Sequence, residues 1–566
     1  MRLQEFIHSL EQGRLAKWII FMVIVFVIVL RGSWAVVWNF KGLSEANGMD
    51  QAQIARQIAS GDGFTTKSIT PLAYAMFKKR GPFPLDKTPD IYEAPLNPYL
   101  NSLFLPIVKK DWTMTTKEYI YPCDRVIATV SIVLLALGIG MNYLTARRVF
   151  DEKIAGLATG LMLICNQYWV FAVTGLPQLL MFFIFSCCVH LLFRAIEARR
   201  QEKPTTLLLA GVGFLFGVLA LAHGLTIWIF GGALLFSLFY FVPRGQGVAV
   251  MLAVFLLVYS PWLVRNYKVC HNPFGLGYLS VIGAMDGSEM DRLRGQDTTL
   301  GGLSLGALRG QMKDQIVKQT GEIYLMLGQN PVAPVFFLTL LYVFKRREAS
   351  DLLWCTFAMF VFAFVAMTIV GYSKSNDMYL LFTPILTLYG FAYVMMLWSR
   401  LEINIPILRR AFICVIYIIS ALPLASAMVG QSPYPAMWPP YSPPWIAILN
   451  TWTQPNEVIA SDMPWAVAWY ADRKSLLIPP SMAEFLDFYD WTEFNGSLVG
   501  LYLTPITGNK PLVSGILKGE DKDWAPLILR GVRFSKDFPF HAVTPMPMDN
   551  ECVFYCESDR WSQKTD

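Results

Sequence analysis

The sequence predicts a polytopic α-helical membrane protein of about 11 transmembrane helices that carries a small exported α/β domain at its C-terminal end. Three observations predict it: a shortage of charge, apolar runs of membrane length, and cations gathered in alternate connections. Only 16% of the 566 residues are charged and 54% are hydrophobic, against about a quarter charged in soluble domains. Mean hydropathy is +0.42. Much of such a chain is solvated by something other than water.

The spans come first. Trp18 to Leu30 holds no charge, and apolar runs recur at the roughly 20-residue length that a bilayer core demands. Backbone amides in lipid find no water to bond, so these runs are helices. The predicted spans are 17–38, 124–145, 154–171, 176–195, 205–222, 225–242, 247–264, 332–345, 351–371, 380–397 and 411–429. The run 332–345 is short for a span, and 17–38 contains Arg31, which must snorkel or face protein. The first run is long and lacks a small-residue cleavage site, so it reads as a span rather than a removable signal.

Sidedness follows from the cations. Arg14 and Lys17 precede the first span, Arg147, Arg148 and Lys153 join the second to the third, and Arg194, Arg199, Arg200 and Lys203 follow the fourth. Arg244, then Lys345, Arg346 and Arg347, then Arg400, Arg409 and Arg410 continue the alternation. With eleven spans all of these fall on one face, which the positive-inside rule makes cytoplasmic. The expected layout is a bacterial inner-membrane protein with its N-terminus inside. A first outer loop (39–123), a second (265–331) and the C-terminal domain then lie on the periplasmic side. The formal charge of +6 reports this topology, and nucleic acid is not an expected partner.

The exported parts have structure of their own. The first loop predicts a helix opening at Gly48-Met49-Asp50, with Ile54 and Ile58 at helical spacing and a stop at Gly61-Asp62-Gly63. The basic knot Lys78-Lys79-Arg80 follows, then Tyr92-Glu93-Ala94-Pro95-Leu96-Asn97-Pro98. The stretch 99–104 is too short to span and reads as an interfacial helix. The division is expected near residue 430, with 1–430 the bundle and its loops and 431–566 the exported domain. Beyond a Pro-rich connector at 433–444, strands are expected at 457–461, 476–478 and 498–503, alternating with helical stretches. Cys552 and Cys556 either pair with each other or with nothing, and no zinc or phosphate-loop motif accompanies them.

Four stretches carry a resemblance. They are Met49-Asp50-Gln51-Ala52-Gln53-Ile54-Ala55-Arg56 closed by Gly61-Asp62-Gly63-Phe64, then Pro95-Leu96-Asn97-Pro98, then Pro261-Trp262-Leu263-Val264-Arg265-Asn266-Tyr267, and Glu457 to Tyr470. In order and membrane side they resemble the bacterial GT-C glycosyltransferases, relatives of the protein O-mannosyltransferases and the lipid A aminoarabinose transferases. The resemblance implies an enzyme that takes a sugar from a polyprenyl-phosphate donor and passes it by inverting transfer to a hydroxyl of an acceptor glycan, lipid or protein. Such a transfer needs a base for the acceptor hydroxyl and cations for the departing phosphate.

On that resemblance Asp50 is the candidate base. The alternative is a helix cap, since Asp50 and Gln53 have the spacing of a capping box. Many relatives carry Asp-Glu one turn earlier, where this chain has Asn47 and Gly48; Glu45 is the fallback base. Glu93 is a candidate to orient the acceptor or help hold a divalent ion, or else a solvated loop carboxylate. Arg265 and Lys374 are candidate ligands of the donor phosphate. Lys78, Lys79 and Arg80 would do the same or greet lipid head groups. Gln178 stands where relatives carry an acid, which counts against a metal requirement, and no metal ligand is assigned. His223 reads as a structural histidine. The competing class is a transporter or flippase, for which internal repeats and ionisable residues in mid-membrane are the expected signs.

Overall fold

The computed structural model describes residues 14–38, 40–78, 85–108, 112–282, 289–298, 305–401, 405–429, 443–491, 494, 496–504, 522–528, 538–546 and 549–562. Long apolar helices form a bundle: Arg14–Ser33, Pro122–Val149, Gln178–Arg200, Thr206–Ala222, Thr226–Tyr240, Gln246–Cys270, Arg347–Val370, Tyr379–Arg400 and Pro406–Val429. The pair Glu152–Leu163 and Asn166–Ala172, bent by 53°, completes it. Six of the helices are long and apolar enough to cross a membrane, seven if the bent pair is one span. The protein is therefore a multi-pass helical membrane protein. Arg31 faces protein, its guanidinium carbon 5.1 Å from the Trp169 ring centre.

Two expected spans are not continuous helices: 154–171 is the bent pair just described, and 332–345 is broken further. Within 332–345 the chain makes a 3₁₀ turn at Ala333–Val335 and a four-residue helix at Phe336–Thr339. Fourteen residues of helix rise only about 21 Å, short of a bilayer core of about 30 Å. The segment packs instead on Tyr379–Arg400. It approaches so closely that a side chain at Gly390 would meet the Val332 carbonyl at 2.1 Å. The eleven expected spans are thus not eleven continuous helices among the described residues.

The tail carries the expected α/β domain, with one addition. Six strands, β1 (Ser68–Ile69), β2 (Val458–Ser461), β3 (Lys474–Leu477), β4 (Leu498–Leu503), β5 (Ala542–Met546) and β6 (Asp549–Cys556), form one sheet in the order β1-β3-β2-β4-β6-β5. The first four are parallel and the last two antiparallel. β1 comes from the first long loop, pairing Ser68 with Ser475 and Ile69 with Leu476. Alternation sends Val458 and Ala460 of β2 to one face, with Leu476, Phe485 and Trp524, and Ile459 to the other, with Met49, Ala52 and Trp469. The sheet is therefore covered on both faces, and both of its cores take in first-loop residues, Met49 and Ala52 on one face and Ile69 and Tyr74 on the other. Cys552 and Cys556 lie four residues apart on β6, about 13 Å along an extended strand, too far for a disulfide. The connector at 433–442 lies outside the described residues.

Candidate active site

The site is built on the loop helix, Ala46–Ala59, which runs between the bundle and the sheet. It begins earlier than the sequence pattern predicts. Glu45 is the capping residue, with extended backbone and no side-chain cap bond, so Asp50 lies within the helix and does not cap it. Asp50 keeps the predicted partner for another purpose: Gln53 Nε2 donates to Asp50 Oδ1 at 3.0 Å and to Thr66 Oγ1 at 2.6 Å. The N-terminal turn presses against the bundle. A side chain at Gly48 would meet the Thr174 carbonyl at 2.0 Å, so an acid at this position, as relatives carry nearby, would collide with backbone.

The turn before the interfacial helix (Leu96–Phe104) brings two more carboxyls beside Asp50. Asp90, buried, accepts from the backbone amides of Tyr92 at 3.1 Å and Glu93 at 2.8 Å. Glu93, 6% exposed, accepts from Gln51 Nε2 at 2.7 Å through Oε2. Gln51 in turn accepts from Asn97 Nδ2 at 2.7 Å, and Asn97 accepts from Asn101 Nδ2 at 3.3 Å. This relay of side-chain amides fixes one oxygen of Glu93 and leaves the other, Oε1, buried without a partner. Tyr92 donates to Glu289 Oε1 at 2.9 Å, adding a fourth carboxyl.

Their proximity alters their acidity. Loss of solvent and then the neighbouring Asp90 push the Asp50 carboxyl up to about 8, against the opposing bond from Gln53. Burial pushes Asp90 up to about 6, held back by the Glu93 amide and by Arg265. Burial, then Asp50 and Asp90, raise Glu93 well above the usual carboxylate range. Like charges in a desolvated site ionise one at a time, which leaves Asp50 poised near neutrality. Asp50 is partly exposed, so it is open to a reactant.

The candidate cations divide. Arg265 abuts the acidic turn, where its Nη1 donates to the Asp90 carbonyl and to Asn266 Oδ1, and its Nη2 to the Phe64 carbonyl at 3.0 Å. Its guanidinium carbon lies 4.8 Å from the Trp262 ring centre. Lys374 reaches the N-terminal end of the loop helix and pairs with Glu45 at 2.8 Å. The fallback base is thereby tied to a candidate phosphate ligand. Lys78 lies apart, its Nζ 3.3 Å from the Trp491 ring centre in the C-terminal sheet domain; Lys79 and Arg80 fall outside the described residues. His223 Nδ1 accepts from the Leu225 amide at 3.2 Å, and burial pushes the ring down to about 4, so it is a neutral structural residue. Gln178 donates to the Ser375 carbonyl at 2.6 Å, bracing the loop that carries Lys374. Among the described residues no three His, Cys, Asp or Glu side chains are placed to hold a metal ion.

Sequence reasoning missed Asp90 and Glu289. Asp90 had a readable signal, since an Asp two and three residues before amides it can accept from is an Asx turn. Glu289 had none, because only the fold brings it to Tyr92.

No family model and no curated protein sequence matches the chain. Solved structures do. ArnT from Cupriavidus metallidurans bound to undecaprenyl phosphate is 14% identical at a TM-score of 0.54, with 96% of this chain and 98% of that one covered. The Archaeoglobus fulgidus oligosaccharyltransferase in complex with Zn and sulfate is 14% identical at a TM-score of 0.55, with 89% and 71% covered. The archaeal oligosaccharyltransferase AglB from the same organism, with an inhibitory peptide and a dolichol-phosphate, is 14% identical at a TM-score of 0.54, with 97% and 75% covered. Likeness at this identity carries architecture, and on it the chain has the GT-C fold.

Proposed function

We propose that this protein is a membrane glycosyltransferase that moves a sugar from a polyprenyl-phosphate donor to an acceptor hydroxyl at the periplasmic face of a bacterial inner membrane. The observation that carries the reading is the meeting of Asp50 with Asp90 and Glu93 where the first loop covers the bundle, with Arg265 alongside. The bound lipids of the similar structures, undecaprenyl phosphate and a dolichol-phosphate, support the donor class. Their lipid phosphates would reach the protein at the membrane edge, where Arg265 and Lys374 stand.

In the proposed step Asp50, ionised, accepts the proton of the acceptor hydroxyl as its oxygen bonds to the anomeric carbon. The bond from that carbon to the donor phosphate oxygen breaks on the opposite side, and polyprenyl phosphate leaves with its electron pair. The sugar inverts. A carboxylate raised toward neutrality suits the base, since the acidity that serves best lies near the working pH. Arg265 and Lys374 would hold the leaving phosphate, and Glu93, beside Asp50, would orient a reactant. The acceptor is a glycan, a lipid or a protein.

The test is release of free polyprenyl phosphate from a panel of lipid-linked sugars by purified protein in nanodiscs. Asp50→Asn should lower release by about 10²-fold or more, the usual worth of a positioned base, with donor binding kept. Equal release by both proteins would remove Asp50 from the chemistry. The absence of both donor binding and release would favour a transporter.

A further inference from the structure

Beside the carboxyl cluster lies a crevice between the loop helix, the acidic turn and the ends of the bundle helices, lined by Gln51, Tyr92, Glu93, Trp262, Glu289 and Asn376 among others. Its composition is specific. It offers two carboxyls, side-chain amides and aromatic faces, and among its described lining residues there is no Lys or Arg. The one imidazole there, His223, is neutral. Glu93 presents Oε1 without a partner while the amide relay through Gln51, Asn97 and Asn101 holds Oε2. A buried acceptor left open in a polar crevice costs stability until a ligand donor fills it. Trp262 lines the same space and stacks under Arg265, the candidate phosphate ligand. A ring in the crevice would thus sit next to the phosphate it is linked to.

We propose that this crevice is the sugar subsite of the lipid-linked donor, and that it takes a ring bearing hydroxyl or amino groups and rejects one bearing a carboxylate or phosphate. The inference rests on the transferase reading above. A sugar hydroxyl or ammonium can donate to Glu93 Oε1 and to Glu289. A uronic acid would instead bring a charged carboxylate into a desolvated crevice with no cation in the lining to pair it, beside carboxyls that avoid a like charge only by keeping their protons, and a buried charge without a partner is strongly disfavoured.

The experiment uses the full chain in nanodiscs. Polyprenyl phosphates linked to a neutral hexose, an amino sugar and a uronic acid are compared for binding and for release of free polyprenyl phosphate. The neutral or the amino donor should bind at least about tenfold more tightly than the uronic donor, tenfold corresponding to about 1.4 kcal/mol. Glu93→Gln, and independently Glu289→Gln, should narrow that gap, whereas Glu557→Gln, an exposed carboxylate outside the crevice lining that accepts from Tyr489, should leave it unchanged. Preference for the amino donor over the neutral one would identify ion pairing as the recognition, and equal binding of the two would identify hydrogen bonding. Cleavage of all three donors with equal affinity would overturn the subsite and leave the transferase reading standing. Failure to bind or cleave any of them would overturn the transferase reading itself. A gap that persists in both Glu→Gln variants would show that the rejection arises elsewhere.

Discussion

Asp50 illustrates how little a residue's local pattern says about its use. Its spacing to Gln53 is that of a capping box, yet the helix starts one turn earlier and the same glutamine bonds to Asp50 from within the helix. What sets its character is Asp90, forty residues away in sequence, together with desolvation. The sign of the consequence is definite. A carboxyl raised to about 8 is mostly protonated below that pH and cannot accept a proton there, so release of polyprenyl phosphate should rise with pH through a limb near 8. Asp90→Asn removes the neighbouring like charge and should shift the limb downward. A pH profile of wild type and variant checks both, and an unmoved limb would dissociate the two carboxyls. Stability runs the other way. Because the folded pKa lies above the unfolded one, ionising Asp50 weakens the fold as pH climbs from about 4 towards 8.

The loop helix is held from two sides. Its first turn meets the bundle at Gly48 and Thr174, while its last turn is locked to the C-terminal sheet domain. Arg56, 1% exposed, pairs with Asp472 at 2.8 Å, donates to the Trp469 carbonyl at 2.8 Å and to the Ala468 carbonyl, and lies over the Trp469 ring. Lys67 shares Asp472 at 2.6 Å. Burial alone would raise the Asp472 carboxyl; Arg56 and Lys67 outweigh it and hold the group below the usual range. The stabilisation this gives is complete above the unfolded value of about 4 and is lost as pH falls through the lower folded value. Asp472→Asn leaves a buried guanidinium short of its counter-charge, which should cost about 3–5 kcal/mol. Denaturant unfolding followed by tryptophan fluorescence, Trp469 being at the contact, measures it. A cost under about 1 kcal/mol would mean that the carbonyls suffice.

At the scale of the molecule, the C-terminal sheet domain is joined to the first loop by a strand, a buried ion network and shared cores. Trp469 and Tyr470 also donate to Asp124 at the start of the helix Pro122–Val149, at 2.7 and 3.0 Å. An exported domain that merely selects acceptors could be removed without touching donor chemistry. This one braces the helix that bears Asp50. Deleting residues 443–566 should therefore abolish release of polyprenyl phosphate as well as transfer, with helix content of the bundle retained by circular dichroism. Release at wild-type level from the truncated chain would return the domain to acceptor selection. The sequence alone determined the multi-pass helical class and three of the strands of the tail, β2, β3 and β4. Lipid demands internally bonded helices, and short apolar runs such as Val458–Ser461 and Leu498–Leu503 suit strands buried on both faces, so local pattern suffices for each. It also pointed to Asp50, Glu93 and Arg265 through their resemblance to a family. Only the tertiary structure decided that Glu93 meets Gln51 across 42 residues and that Arg56 meets Trp469 across 413. It likewise broke the run at 332–345 into short turns. Contacts of that range depend on how elements pack, and no periodicity within one segment records them.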